Sequence, residues 1–507
     1  MNHQVRQSAE RVDLPPAEGA LKHGRLGTIA LVFIIIAASA PLTVLAGGVP
    51  TSYAVSGLLG LPLAYLALGV ILVLFAVGYG RMSARIQNSG AFFAYVAEGL
   101  GNRQGIAAAI LALVSYNMMQ IGLYGLFGFA AAAELSHWTG MDVPWWVAGA
   151  LGWLVVAVLG VCNIDLSAKV LGVLVTLEFA VVIVFSVFAL GDAPEGISAQ
   201  GFYPDQFVTE GIGVLLAFSI AAFMGFESGA IYSEETRDPE RTVPRATYIA
   251  VGLVAVFYAF SAWVLAMGVG PGAVVEQSAE FGPDLVFVWL AERSPVIAEI
   301  ANVLFITSLL AALLAFHNAA ARYFFSLGRS GVLPRALARS GSNGAPVAGS
   351  VTQSVLSLIV VAVFVVAGSG SELGALYPVL TLFTWLTNAA AFGLVFLLAV
   401  TGVAILVWSL RIDTHAGVFS RIVAPVLSTL GLAVVAALIL TNFDLMIGDA
   451  GPHWLVWVMP GIVIAAGLGG LVWGEVLRHL KPRTFTTLQD TLDQHPETPE
   501  TLETKEY

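Results

Sequence analysis

Residues 222–246 read AFMGFESGAIYSEETRDPERTVPRA, an apolar run that contains a glutamate and ends in a dense mixture of charges. Two glycines flank Glu227 in the apolar part, and Pro239 and Pro244 lie in the charged part. A charged side chain at the centre of a bilayer costs about 2.5–3.5 kcal/mol on insertion scales, so its presence needs a reason. The stretch therefore predicts an interrupted membrane-spanning helix that is followed by a charged loop, in which the two prolines make a continuous helix improbable.

The composition indicates a polytopic membrane protein. Of 507 residues, 58% are hydrophobic and only 11% are charged, whereas soluble domains carry about 25% charged residues. A spanning helix needs roughly 20 predominantly apolar residues. Twelve segments satisfy this rule, at residues 28–48, 53–79, 105–134, 144–162, 167–190, 211–233, 246–270, 295–328, 349–368, 376–410, 422–442 and 453–476.

The basic residues orient these segments. With both termini cytoplasmic, all but one of the 22 Lys and Arg residues fall on the inner side, and Arg293 is the exception. This is the bias that the positive-inside rule requires. We therefore expect a multi-pass protein of the cytoplasmic membrane, with residues 1–25 and the acidic residues 477–507 as cytoplasmic tails.

Several function classes find no support in the sequence. The single cysteine, Cys162, excludes an intramolecular disulfide, and a small buried apolar residue is its simplest interpretation. No zinc-protease, Walker or dinucleotide-binding motif occurs, and the net charge of -11 resides largely in tails and loops. We expect no metal, cofactor or nucleic acid, and a lipid bilayer as the surroundings.

The first predicted helix is also interrupted. Pro41 lies in the middle of it, with Ser39 and Thr43 beside it to bond freed backbone groups. A kink in either helix alone has a purely structural explanation. Interruptions in the first and sixth helices together indicate a five-helix unit that occurs twice, and an odd number of helices inverts the second copy. Inverted repeats with discontinuous helices place a substrate site near the midplane.

Three motifs resemble those of the amino acid–polyamine–organocation (APC) permeases. GFESGAIYSEETRDPERTVPRA resembles the family's sixth helix and the loop after it, NSGAFFAYVAEGLG (88–101) the loop between helices 2 and 3, and RYFFSLGRSGVLP (322–334) the end of helix 8. The resemblance covers most of the chain from 26 to 476. It implies a LeuT-like fold with discontinuous helices 1 and 6, in which 28–190 and 211–410 are inverted repeats and 422–476 holds two further helices.

The resemblance also implies where a substrate binds. Amino acid permeases hold the substrate's carboxylate at exposed amides of helix 1 and its amine at carbonyls of helix 6. The matching positions here are Ala38, Ser39, Ala40, Pro41 and Leu42 in helix 1, and Ala221, Met224, Gly225 and Phe226 in helix 6. Many members have a Gly-Ser-Gly-like break in helix 1, and this chain departs from it with Ala-Ser-Ala-Pro.

Two glutamates lie within predicted helices. Glu227 adjoins the break in helix 6, where it meets a cationic group or a proton, or where it satisfies backbone that the break frees. Glu178 in helix 5 is either a coupling group or a hydrogen-bonded carboxylic acid. No Lys or Arg falls near a predicted midplane, which favours a zwitterionic or cationic substrate over an anionic one.

Further polar residues lie in helices 3 and 8. His317 and Asn318 are candidates for coupling or gating, and a neutral histidine that bonds a neighbouring helix is the alternative. Tyr116 and Gln120 are candidate substrate-binding residues. Asn117, Gln120 and Tyr124 share one face at i, i+3 and i+7, as either pocket-lining residues or polar contacts between helices would.

These features predict a secondary active transporter that moves an amino acid or a related amine by alternating access, driven by protons. A polyamine or organic amine carrier and an amino acid exchanger are the alternatives. A nutrient sensor without transport is disfavoured because no soluble signalling domain is present, and an enzyme because no catalytic constellation is evident.

Overall fold

The computed structural model describes residues 26–86, 92–162, 168–232, 236–341, 344–412, 417–448, 451–482 and 485. Within these ranges the chain is helical, and its extended backbone is limited to one isolated bridge. In the same ranges, ten helices are long and apolar enough to cross a membrane, and two shorter apolar helices lie where the fourth and sixth spans are predicted. The all-helical membrane fold is confirmed, and the total of twelve spans stays a prediction.

We number the apolar helices α1 to α12 in chain order. Their bounds are α1 Thr28–Ser56, broken at Ala40, α2 Leu61–Arg85, α3 Asn102–Thr139, α4 Trp145–Val161, α5 Ala168–Gly191, α6 Ile212–Phe223 with Ser228–Ile231 beyond a break, α7 Pro239–Val269, α8 Pro295–Arg329, α9 Val347–Ala367, α10 Gly374–Arg411, α11 Phe419–Thr441 and α12 Leu455–Leu480. Short helices at Phe92–Leu100, Val274–Phe281, Leu285–Ala291 and Phe443–Ile447 connect them.

Glycine, proline and serine residues define several of the helix ends. Gly57 and Gly140 end α1 and α3 in the left-handed conformation, at φ 67° and 69°, which glycine adopts without a steric penalty. Pro295 opens α8 at the first helical position, where its missing N–H is no loss. The hydroxyl of Ser294 accepts the N–H of Ile297 at 3.5 Å and caps the same end.

The predicted boundary between the first two helices is wrong. α1 continues past residue 48 to Ser56, and α2 begins at Leu61 instead of residue 53. A wide π-type turn over Val44–Gly48 precedes Pro50. Because the ring of a proline clashes with the preceding turn of a regular helix, this wider turn accommodates Pro50 and the helix continues.

The predicted interruption after α6 is also wrong in part. α7 begins at Pro239 instead of residue 246, and Pro244 lies inside it. Pro239 occupies the first helical position, where proline is favoured. Pro244 leaves the carbonyl of Glu240 without its usual helical partner, and Glu240 is exposed, so this carbonyl lies where solvent can reach it.

Burial separates central from peripheral helices. The apolar windows of α1 and α3 are 78% and 83% buried, whereas those of α9 and α12 are only 22% and 28% buried. Apart from Arg478 and His479 at the end of α12, the exposed side chains of α9 and α12 are apolar, as expected of helices that face lipid. The broken helix α1 and the long helix α3 therefore form the interior of the molecule.

Helix α7 is bonded to α1 on both sides of the break at Ala40. The Tyr258 hydroxyl of α7 donates to the carbonyl of Ser39 at 2.9 Å. We call Thr28–Ser39 the inner half of α1 and Pro41–Ser56 its outer half, after the orientation expected from the sequence. In the outer half, the Tyr53 hydroxyl donates to the carbonyl of Ala262 in α7, also at 2.9 Å. One continuous helix thus fixes both halves of a discontinuous one.

Backbone contacts join the segment before α1 to the segment after α6. Leu26, just before α1, forms an isolated parallel bridge with Thr236, which follows α6. The N–H of Arg237 donates to the carbonyl of Leu26 at 2.8 Å. This contact ties the start of α1 to the segment between α6 and α7.

The connection between α7 and α8 covers the outer half of α1. The helix Val274–Phe281 packs against Val49–Ser56, and the turn Gly282–Asp284 packs beside it. Burial raises the pKa of the Asp284 carboxyl from 3.8 to about 6. This covering segment therefore contains an acid that titrates in a mildly acidic range.

Candidate functional site

The break in α1 is a single residue in the left-handed conformation. The inner half ends at Ser39, and Ala40 adopts φ 47° and ψ 78° before Pro41 starts the outer half. The N–H of Ala40 donates to the carbonyl of Ile36 at 2.9 Å and completes the inner half. The carbonyl of Ser39, which Pro41 and its neighbours leave free, accepts the Tyr258 hydroxyl.

The break in α6 lies directly against the break in α1. After Phe223, Met224 is extended at ψ 134° and Gly225 adopts φ 105°. A Cβ atom placed on Gly225 would lie 2.6 Å from the Cβ of Ala38. Glycine is required here both by the backbone conformation and by the close approach of α1. The two interruptions predicted from the sequence are therefore neighbours in space.

Glu227 satisfies groups that the break in α6 frees. Its side chain is fully buried, and Oε2 accepts the N–H of Gly225 at 3.1 Å. Oε1 accepts the Tyr116 hydroxyl of α3 at 2.5 Å, and the Tyr79 hydroxyl of α2 donates to the backbone carbonyl of Glu227 at 3.3 Å. The carboxyl group thus ties α3 to the break, and the ring of Tyr323 lies 5.5 Å from that of Tyr116 in the surrounding aromatic cluster.

Glu178 has the corresponding position at the break in α1. It is almost fully buried in α5, and its Oε2 accepts the backbone N–H of Leu42 at 3.2 Å and the Ser308 hydroxyl of α8 at 2.9 Å. The Thr43 hydroxyl in turn donates to Ser308 Oγ at 3.2 Å. Glu178 therefore caps the outer half of α1 from a neighbouring helix, where the positive end of the helix dipole favours a carboxylate.

A cavity of about 60 Å³ lies between the two breaks. Five helices contribute its lining, which consists of Ala38, Ser39, Ala40, Thr43, Val44 and Gly48 of α1, Met119 and Leu123 of α3, Phe218, Ala221 and Ala222 of α6, Ala312 and Phe316 of α8, and Phe383 and Thr387 of α10. Among these lining residues the only side-chain polar groups are three hydroxyls. An ionised ligand in this cavity would rely on the helix ends for its charged groups.

The structure distributes the predicted substrate-binding residues over two layers. Ala38, Ser39, Ala40 and Ala221 line the cavity. The others predicted in α1 and α6 form the breaks behind this surface, namely Pro41, Leu42, Met224, Gly225 and Phe226. Tyr116 reaches the break in α6 only through its bond to Glu227.

Gln120 and His317 belong to a separate buried cluster that joins α3, α8 and α9. Gln120 Oε1 accepts the amide of Gln353 at 2.5 Å, and Gln120 Nε2 lies 3.4 Å from His317 Nδ1. His317 Nε2 lies 2.8 Å from the Ser350 hydroxyl. A Cβ atom on Gly160 of α4 would lie 2.5 Å from the same nitrogen. These contacts hold scaffold helices together and do not reach the cavity, and the neighbouring Asn318 is only half buried.

Sequence reasoning missed most of the apolar lining. On α3, Tyr116, Met119 and Leu123 share one face at i, i+3 and i+7, and this face, not the more polar one, turns to the site. The polar residues Asn117, Gln120 and Tyr124 lie on a neighbouring face, about 100° further round the helix. Asn388 of α10, next to the lining residue Thr387, was also missed; it is fully buried and neither of its side-chain polar atoms has a partner.

Comparisons with known proteins agree with the sequence motifs. A family model described as amino acid permease matches residues 30–474. L-asparagine permease 1 of Mycobacterium tuberculosis is 26% identical over 324 residues, which are 60% of this chain and 63% of that protein. The low-affinity putrescine importer PlaP of Escherichia coli is 26% identical over 344 residues, 66% of this chain and 72% of the importer. The chain thus spans slightly less than two thirds of the asparagine permease.

Solved structures share the fold. The crystal structure of the Eremococcus coleocola manganese transporter in complex with an aromatic bis-isothiourea substituted compound superimposes with a TM-score of 0.51 at 17% identity. The match covers 91% of this chain and 98% of that one. It identifies the architecture, a LeuT-like transporter fold, and at this identity nothing further.

Proposed function

Because the chain belongs to the amino acid permease family, we propose that it is a secondary active transporter that carries an amino acid or a related amine across the cytoplasmic membrane by alternating access. The observation that carries this proposal is the cavity between two contacting helix breaks. Broken helices offer unpaired amides and carbonyls to a substrate at the middle of a membrane, where continuous helices offer none. The termini are cytoplasmic in this proposal, and 28–190 and 211–410 are the two repeats that move against each other.

The lining favours a zwitterionic amino acid with a small or apolar side chain. Apolar residues such as Met119, Leu123 and Phe316 surround the space in which a side chain would lie. The substrate's carboxylate would bind at the start of the outer half of α1, and its amine at the carbonyls that end the first part of α6. Ala38, Ser39 and Ala221 lie beside these two helix ends.

A polyamine carrier is the second candidate, and the similarity to a putrescine importer supports it. A dication would need two anionic or carbonyl-rich ends in its site. The lining residues include no carboxylate, and the two nearby carboxylates, Glu178 and Glu227, are already bonded to backbone amides. The amino acid is therefore the preferred substrate class.

Proton coupling is part of the proposal, with Glu227 and Glu178 as the coupling and gating groups. Each buried carboxyl group bonds a backbone amide at one of the two breaks, so the gain or loss of a proton changes the hydrogen bonding of a broken helix directly. His317 and Asn318 lie outside this arrangement. We assign His317 a scaffold role.

Uptake into proteoliposomes tests the function. The purified chain is reconstituted, and uptake of L-alanine, L-leucine, L-phenylalanine, L-asparagine, L-glutamate, L-lysine and putrescine is measured with and without an inwardly directed proton gradient. We expect uptake of neutral amino acids above that of protein-free liposomes, stimulated by the gradient. Uptake of none of these compounds would contradict the proposal.

A further inference from the structure

The start of the outer half of α1 is an anion-binding position that the chain itself occupies. Pro41 supplies no N–H, and the N–H of Leu42 is donated to Glu178 at 3.2 Å. The first amides of a helix and its dipole together attract a carboxylate. In this structure that carboxylate belongs to α5 and not to a substrate.

The same helix start lies directly behind the wall of the cavity. Ala40 and Thr43 line it, and they flank Pro41 and Leu42 in the chain. Thr43 also bonds Ser308, which donates to the same oxygen of Glu178 that accepts from Leu42. A substrate carboxylate that binds at this helix start would therefore come within a few ångströms of Glu178.

In the part of the chain that the structure describes, Glu178 has no cationic neighbour that would let two carboxylates share this position. Among the described residues of the helices packed around it, the titratable group that interacts with it is Tyr258 of α7, whose hydroxyl is committed to the carbonyl of Ser39. Residues 28–56 of α1 contain no Asp, Glu, Lys, Arg or His. In α8 the ionisable residues nearest to Ser308 along the chain are Glu299 and His317, each nine residues away. Two ionised carboxylates at a few ångströms in a buried site repel each other strongly.

We propose that Glu178 and the carboxylate of the substrate are alternative occupants of the start of the outer half of α1, so that the substrate binds together with one proton. The proton comes from the water on the side of entry and converts the Glu178 carboxylate to a carboxylic acid. The hydrogen bond from Leu42 N–H to Glu178 breaks, and one from Leu42 N–H to the substrate forms. On release to the other side, the proton leaves with the substrate and Glu178 bonds Leu42 again. The inference rests on the proposed amino acid transport.

In this mechanism, proton coupling requires that the substrate has a carboxylate. A zwitterionic substrate and one proton carry one net positive charge per cycle. Linkage requires that the apparent dissociation constant rises tenfold for each pH unit above the range in which Glu178 takes up its proton. A ligand without a carboxylate leaves Glu178 bonded to Leu42 and takes up no proton.

The test measures binding and proton uptake on the full-length protein. Dissociation constants for L-alanine, L-leucine and L-phenylalanine, and for the amide of each, are determined between pH 5 and 8, and a pH-sensitive dye records protons bound on ligand addition. At pH values where Glu178 is ionised in the free protein, we expect one proton per bound amino acid and none per bound amide; where Glu178 is already protonated, neither ligand should cause proton uptake. Glu178→Gln keeps an acceptor for Leu42 and Ser308, and it should bind the amino acids with a pH-independent constant and without proton uptake.

Glu134→Gln is the matched control, because Glu134 is another buried glutamate in a spanning helix and does not line the cavity. It should retain the proton uptake of the wild type.

Proton uptake by Glu178→Gln equal to that of the wild type, or pH-independent binding by the wild type, would overturn the inference while transport itself stands. If Glu178→Gln does not fold, equal proton uptake with amino acids and amides in the wild type overturns it. Transport of putrescine without any amino acid would overturn it as well, and no transport at all would instead contradict the proposed function.

Discussion

Replacement of Gly225 by alanine should separate the two helix breaks and stop transport. At φ 105° an alanine is strained by about 1–3 kcal/mol. Its Cβ would lie 2.6 Å from the Cβ of Ala38, where unstrained carbon atoms lie about 3.5–4.0 Å apart. Because both atoms are fixed to backbone, α1 or α6 must move by roughly 1 Å, and overpacking of this kind costs about 1–3 kcal/mol. The total is roughly 2–6 kcal/mol.

Uptake and thermal unfolding in detergent measure this effect. A shift of about 1.4 kcal/mol away from the competent geometry lowers a rate or a population tenfold, so we expect at least a tenfold loss of uptake and a lower Tm. Gly252→Ala is the control, since a Cβ there meets nothing within 4 Å in the middle of α7; it should keep uptake and gain slightly in stability.

A second variant separates the backbone strain at residue 225 from the overlap of its Cβ atom with that of Ala38. Adding Ala38→Gly to Gly225→Ala removes the contact between the two Cβ atoms and leaves the backbone strain. We expect a partial recovery of Tm and uptake. Wild-type uptake and Tm in Gly225→Ala alone would refute the reasoning, and no recovery in the double variant would show that the contact with α1 contributes nothing.

Three further predictions concern other parts of the molecule. Glu227→Gln should abolish uptake or its pH dependence, because the amide cannot gain or lose a proton at the break in α6 although its oxygen can still accept the Tyr116 hydroxyl; unchanged uptake between pH 5 and 8 would remove Glu227 from the mechanism. Gly160→Ala should lower the stability by about 1–3 kcal/mol, seen as a lower Tm, because its Cβ displaces the ring of His317. Asp284→Asn should raise the Tm at pH 7.5 and change little at pH 4. The folded state holds the proton of Asp284 more tightly than the unfolded state, so stability falls as pH rises from about 4 to about 6, by roughly 1–3 kcal/mol; equal Tm values for the variant and the wild type at pH 7.5 would contradict this.

The apolar runs and the two interruptions were readable from the sequence because their signals are local. Runs of about 20 apolar residues and a proline or glycine inside them depend only on neighbours along the chain. The end of α1 was misplaced because Pro50 lies in a wide turn that no local rule anticipates. Pro244 does not end α7 as the sequence predicts, because it is only the sixth residue of the helix and the carbonyl that it frees belongs to the exposed Glu240.

The sequence predicts the kind of site and several of its residues, but not the contacts that these residues make. Glu178 and Glu227 stood out because charge is rare in the membrane, yet their hydrogen-bond partners, Leu42 and Gly225, are backbone amides that carry no side-chain signal. On α3, the side of Met119 faces the cavity and the side of Gln120 faces other helices. Which face of a buried helix turns to a site depends on how five helices are arranged, and a sequence with polar groups on both faces does not specify it.

Ala40 shows how sharply the interruption in α1 is defined. An alanine in the left-handed region costs roughly 1 kcal/mol more than a glycine would, and the proline after it restricts the same residue further. A glycine at residue 40 would let the two halves of α1 bend more easily, but it would also give the break many more accessible conformations. With alanine followed by proline, the backbone dihedral angles at residue 40 are restricted to few values. We therefore expect the inner half of α1 to switch between a small number of discrete tilts. In the proposed alternating access, such a break would favour a few discrete positions of the inner half over a continuous range of them.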